Sequence, residues 1–122
     1  MQPERAWADL IYKARAATLE DAMLLRKPPD RVPVCTFAQF YPADSAGLAP
    51  YDVLYDRGKA TEAWLTYARA LQPDAIVPFS TAAVAGPVFD LLDFRLFRWP
   101  GHGAPRETTF QYVEREWMLP DE

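Results

Sequence analysis

The chain of 122 residues is poor in the groups that build metal and redox centres, with one cysteine, Cys35, and one histidine, His102. A single cysteine makes no internal disulfide, and one Cys with one His is too few for a dedicated zinc cage. Basic residues are also in deficit: 13 Lys+Arg face 17 Asp+Glu, giving a net charge of −4 and a pI near 5.0. No cationic excess is left to neutralise phosphates, which argues against a nucleic-acid footprint. No apolar run approaches the ~20 residues of a membrane span. The opening Met1-Gln2-Pro3-Glu4-Arg5 lacks the basic-then-apolar layout of a secretory leader. The expectation is a cytoplasmic protein that engages neither nucleic acid nor membrane. Half the residues are apolar and 25% charged, so the chain is no disordered segment, and its length fits one domain.

Proline, by contrast, is abundant, with 12 residues, about twice the usual ~5%. Two long proline-free gaps remain, 4–27 and 51–72, and a helix interior tolerates proline poorly, so the gaps predict the main helices. In the first, Trp7, Leu10, Ile11, Ala14 and Ala17 recur at helical spacing. Thr18 is positioned to cap a second short helix carrying Leu19, Ala22, Met23 and Leu25 and ending at Lys27-Pro28. In the second, Ala60, Ala63, Trp64, Tyr67 and Leu71 repeat the pattern. Gly58 weakens the start of that helix, which makes Asp56 its expected cap, with a shorter turn before it. Both helices are expected to be half-buried.

A similar short phrase follows each helical region. Pro29-Asp30-Arg31-Val32-Pro33-Val34 comes after the first and Pro73-Asp74-Ala75-Ile76-Val77-Pro78-Phe79 after the second. Helix, Pro-Asp turn and short apolar strand, used twice, is the layout of βα units with parallel strands. Such strands are usually covered on both faces, although Pro33 and Pro78 each remove a ladder donor. Further on, a helical turn is expected near 83–92 and a strand at about 94–99. Pro100 to Pro105 form a turn, and Thr108–Val113 pairs back as a hairpin. Leu119-Pro120-Asp121-Glu122 reads as the opening of a helix. With only two parallel strands before it, the expectation is a protein cut short.

These elements, in this order, resemble the N-terminal part of the uroporphyrinogen decarboxylase family, which includes methyltransferases acting between corrinoids and thiols. The resemblance rests on Pro28 to Val34, Tyr51-Asp52-Val53-Leu54-Tyr55-Asp56 and Gln72-Pro73-Asp74-Ala75. It continues through Trp99-Pro100-Gly101-His102-Gly103 and Gln111-Tyr112-Val113-Glu114. It implies an α/β fold: the opening βα units of a (βα)8 TIM barrel. Helices occupy about 4–27, the βα core about 31–92, and a β-hairpin excursion about 94–113. A complete barrel needs ~250 residues, so the barrel would be incomplete. The family's decarboxylases carry Arg-Gln-Ala-Gly-Arg after strand one and Phe-Ser-Asp after strand two. In this chain those stretches read Phe37-Ala38-Gln39-Phe40-Tyr41-Pro42 and Phe79-Ser80-Thr81. Without the arginines and the aspartate, substrate carboxylates and developing positive charge lose their partners. The departures therefore favour the methyltransferase branch. There the resemblance implies a zinc ion activating a thiol, a corrinoid, and a small-molecule substrate or corrinoid-protein partner. The zinc ligands would lie beyond residue 122, with no cofactor held by this chain. A second reading is a free-standing α+β module that self-associates through its exposed sheet edge.

Gln39, Tyr41, Ser80 and Thr81 follow the two expected strands, where barrel active sites are built. They either line a substrate pocket or satisfy local loop backbone. Cys35, inside strand one with no basic neighbour to activate it, reads as a buried, inert thiol. His102 reads as a solvated loop residue, and Glu114 and Glu116 as a solvated strand face rather than an acid–base pair. Phe94, Phe97, Trp99, Phe110, Tyr112 and Trp117 read as hairpin packing or as a contact surface.

Overall fold

Proline placement and helix capping decide most of the boundaries in the computed structural model, which describes residues 3–77 and 85–116. In chain order come helix α1 (Pro3–Met23), strand β1 (Cys35–Thr36), helices α2 (Tyr41–Ser45), α3 (Pro50–Tyr55) and α4 (Arg57–Leu71), and strand β2 (Ala75–Ile76). Helix α5 (Gly86–Leu91) and strands β3 (Phe97–Pro100), β4 (Gly103–Ala104) and β5 (Gln111–Tyr112) follow. The fold is mixed α/β with small sheets and, among the described residues, no closed barrel. No helix among them is long and apolar enough to cross a membrane. Two compact units result: Met1–Ala38 with Ala68–Val77, and Gln39–Tyr67 with Pro78–Glu122.

The first unit is a helix and a parallel strand pair. β1 and β2 align Cys35 with Ala75 and Thr36 with Ile76. Ala75 N–H donates to Val34 O at 3.2 Å and Val77 N–H to Thr36 O at 3.0 Å. The parallel pairing is as expected, but the strands are two residues each. Pro33 precedes the ladder, where its missing N–H costs no bond. The expected covering on both faces is absent among the described residues, since Val34, Cys35, Phe37 and Val77 are exposed. None of this unit's described apolar side chains is fully buried.

Helix α1 departs from expectation in two ways. It runs unbroken past Thr18, whose hydroxyl donates to Ala14 O at 3.0 Å; bonded to its own helix, the side chain caps nothing. The helix ends at Met23 and is closed by Leu25, in the left-handed region at φ 52°. There Leu25 N–H donates to Ala22 O and Arg26 N–H to Asp21 O, the two bonds of a Schellman closure. The expected buried face is open, with Trp7 68%, Leu10 65% and Ile11 39% exposed. The helix turns Arg15, Ala16, Leu19 and Ala22 inward instead. Arg15 donates to Pro73 O at 3.1 Å and to Gln72 Oε1 at 3.3 Å.

The second unit holds the core, with Phe40, Val53, Leu54, Ala60, Trp64 and Trp99 among its buried side chains. Ala60, Ala63, Trp64 and Tyr67 are the buried face of α4, as the spacing predicts, while Leu71 is exposed. Asp56 caps the helix: its Oδ1 accepts from Lys59 N–H at 3.0 Å. The expected short turn before it is α3, with Pro50 in its first turn and Asp52 Oδ2 accepting from Ala49 N–H at 3.2 Å. α5 closes at Asp93 (φ 46°). Phe94 N–H reaches back to Phe89 O at 3.1 Å, and the two rings stack at 5.0 Å. That closure occupies the first residues expected in the strand, so β3 begins at Phe97. β5 pairs antiparallel with β3, Phe97 opposite Tyr112 and Arg98 opposite Gln111, the hairpin the sequence predicts. Phe94, Phe97 and Phe110 pack together, joined by Phe89 and Phe40. Trp117 and the expected C-terminal helix start lie outside the described residues.

Loss of an N-cap carboxylate typically costs about 1 kcal/mol. Asp56→Ala is expected to lower unfolding stability by about that amount, with an unchanged denaturant slope, in a urea titration followed by tryptophan fluorescence.

Candidate functional site

Of the four residues expected to line a pocket, Gln39 is exposed in the loop after β1. Tyr41 opens α2 at 61% exposure, its ring edge-on to Tyr67 at 5.9 Å. Ser80 and Thr81 lie outside the described residues. The exposed position of Cys35 corrects the expectation of a buried thiol: a two-residue strand with a single partner has nothing laid over that side chain among the described residues. At the end of the same strand, Thr36 Oγ1 is buried and makes no hydrogen bond there.

The parallel pair is held by one carboxylate. Asp74, its side chain 1% exposed, accepts two guanidinium hydrogen bonds from Arg31, at 2.6 Å from Nη1 and 2.5 Å from Nη2. It takes a third from Val34 N–H at 2.8 Å. Bidentate pairing with an added backbone donor is the strong form of this contact. The Arg31 bonds, with the Val34 N–H, hold the Asp74 carboxyl down at about 2. The two Pro-Asp phrases are therefore not equivalent, for Asp74 of the second clamps Arg31 of the first, whereas Asp30 is exposed.

In the second unit the structure brings together two stretches that carry the family resemblance, Tyr51 to Asp56 and Trp99 to Gly103. The buried Trp99 donates through Nε1 to Tyr55 Oη at 3.0 Å, and Tyr55 donates to Asp90 Oδ1 at 3.2 Å. Burial pushes the Tyr55 phenol above its ordinary value, with Asp90 adding to the shift. It stays protonated and acts as a relay of hydrogen bonds. His102 lies flat on Trp99, ring centroids 4.1 Å apart, with Nδ1 at 3.7 Å from Asp90 Oδ1. It is exposed as expected of a loop histidine, but stacked. Tyr51 stacks on Tyr55 at 4.6 Å, and the Arg106 guanidinium covers its ring at 3.6 Å. Lys59 donates to Asp52 at 3.1 Å and holds that carboxyl below its ordinary value, helped by the Ala49 N–H and the Arg106 charge.

Gly101 explains why this junction needs a glycine. Its φ is +85°, and a Cβ there would come within 2.5 Å of Tyr51 Cε2. The Tyr55 phenol is fixed by two hydrogen bonds and the His102 ring by stacking, so the cluster holds the Trp99–His102 turn on α3. Among the described residues no three His, Cys, Asp or Glu side chains come together to hold a metal ion. The zinc implied by the family resemblance therefore has no fit there. Sequence reasoning quoted Tyr51, Asp52, Trp99 and Gly101 as motif residues but not their contacts. Asp90 carried no signal beyond its helix position. No protein-family model, curated protein or solved structure matches the chain.

Because the folded Asp74 carboxyl lies at about 2, below the ~3.9 of an unfolded chain, its contribution is complete above about pH 4. It is lost as pH falls towards 2. Asp74→Asn is expected to lower stability at pH 7 and to flatten the pH dependence between 4 and 2, read by denaturant midpoints across that range.

Proposed function

We propose that this chain supplies the opening βα units of a uroporphyrinogen-decarboxylase-like barrel enzyme, on the corrinoid and thiol methyltransferase side of that family. The observation that carries the reading is the parallel pairing of β1 with β2 across a connection that includes α4. Parallel neighbours need such a crossover, and repetition of the unit is what closes a (βα)8 barrel. The exposed Val34, Cys35 and Phe37 on and beside β1 leave apolar surface for further layers to cover.

In this reading Gln39, Tyr41, Ser80 and Thr81 follow the strands as neutral hydrogen-bonding groups around a substrate. None carries the positive charge that a polycarboxylate would require, which supports methyl transfer over porphyrinogen decarboxylation. Zinc and the corrinoid would be held by residues beyond 122, and the described residues alone would not catalyse. A second reading is favoured by the flanks of the pair, which are open among the described residues: a small α+β module that covers those strand edges with a second copy.

Sequencing the transcript past codon 122 separates the two. The barrel reading expects further strand–helix units in frame, with a His and Cys pair near a later strand. A stop codon directly after Glu122 would overturn it and leave the self-associating module.

A further inference from the structure

The outward stripe of helix α1 has two halves of different size. Trp7, Ile11, Ala14, Thr18 and Asp21 fall within about 40° of one line along the helix, with Leu10 beside it. The N-terminal half is large, apolar and exposed, in Trp7, Leu10 and Ile11. The C-terminal half is small and hollow. There Ala14, Ala17, Thr18 and Asp21 form one wall of a cleft of about 390 Å³, and Pro29 and Asp30 of the following loop belong to the other.

The cleft offers what an indole takes. Two alanine methyls and the Pro29 ring give apolar contact, and the volume admits a tryptophan side chain. An indole N–H also needs an acceptor. Asp21 is already engaged by Lys27 at 3.3 Å, whereas Asp30 is exposed and pairs with no group among the described residues. Trp7 of the same chain cannot fill this cleft. The helical lining residues lie roughly 10–21 Å farther along the axis, and helical side chains lean towards the N-terminus, away from it.

We infer that α1 is a homodimer interface: two copies pack their α1 helices antiparallel, each Trp7 seated in the cleft of the other copy. A two-fold axis crossing near Tyr12 sets Trp7 of one copy beside Ala17 of the second, so both knobs enter both holes at once. Leu10 and Ile11 then meet Ala14 of the second copy, large against small. The lean of Trp7 now points towards the C-terminal end of the facing helix, where the loop carrying Asp30 lies. The facing strip is about 21 Å long and 10–12 Å wide. Two copies remove on the order of 1,000 Å² from solvent, the lower bound of a specific interface, so the dimer dissociates on dilution. The inference does not rest on the barrel reading, and its surface is not the strand edges of the second reading.

Sedimentation velocity of the full chain, from about 1 μM to about 1 mM, is expected to show a monomer–dimer equilibrium. Trp7→Ala removes the knob and Ala17→Gln fills the hole. Each is expected to weaken the dimer at least about tenfold. Both positions are exposed, and unchanged helicity and melting temperature at low concentration show that the variants remain folded. Mixing the two variants is expected to restore association, because the knob of one enters the intact cleft of the other. A monomer throughout the range, a dimer that either folded variant leaves intact, or two defective variants that fail to complement each other would overturn the assignment.

Discussion

A single carboxylate organises the first unit. Asp74 sits at the entry to β2 and takes Arg31 and the Val34 N–H, so the chain entering β1 and the chain entering β2 are tied side by side before either strand begins. Two-residue strands supply very few ladder bonds, too few to specify a register by themselves. The side-chain clamp does so from outside the sheet. Arg15, reaching from α1 to Pro73 O, fastens the same turn to the helix. The arrangement substitutes directional polar contacts for the apolar burial that this unit lacks among its described residues.

The second unit is built on the opposite economy. Its strands are also short, but Trp99, Leu54 and Val53 are fully buried and a run of aromatic rings joins the hairpin to α5. Trp99 is the hub, with its indole N–H spent on Tyr55 and its ring face on His102. A buried indole needs such a partner, and Tyr55 passes the demand on to Asp90. The glycine at 101 is the steric condition for this closure, because the turn must pass directly against the Tyr51 ring. The hairpin then turns its other face, with Arg98 and Gln111, towards solvent.

Much of this was legible in the residues. Proline-free gaps located α1 and α4 because proline is costly inside a helix. Asp56 was recognisable as a cap because the glycine two residues later made an earlier start unfavourable. The repeated Pro-Asp phrase pointed to parallel strands because both copies precede short apolar runs. Other features were hidden for physical reasons. Thr18 is a cap by residue type, yet a threonine hydroxyl bonds its own helix equally well. The periodicity of Trp7, Leu10 and Ile11 reports a face suited to burial, not whether anything lies on it. Cys35 was misjudged by the same step, from strand membership to burial. Which copy of the repeated aspartate makes the clamp depends on long-range geometry that no local pattern encodes. Of the expected site, Gln39 and Tyr41 follow β1 as the reading has them, while the helix α2 that Tyr41 opens was not foreseen, and their chemistry depends on neighbours that short-range sequence does not name.

The functional proposal stands on the parallel pair, and the pair stands on Asp74. Amide hydrogen exchange at Val34, Ala75 and Val77, compared between the natural chain and Asp74→Ala at neutral pH, tests that dependence directly. The account predicts that protection at these three amides collapses in the variant, while Val113, bonded to Leu96 O in the hairpin, keeps its own. Undiminished protection at Ala75 and Val77 without the carboxylate would show that the strands pair by themselves, and would contradict the central role of the clamp.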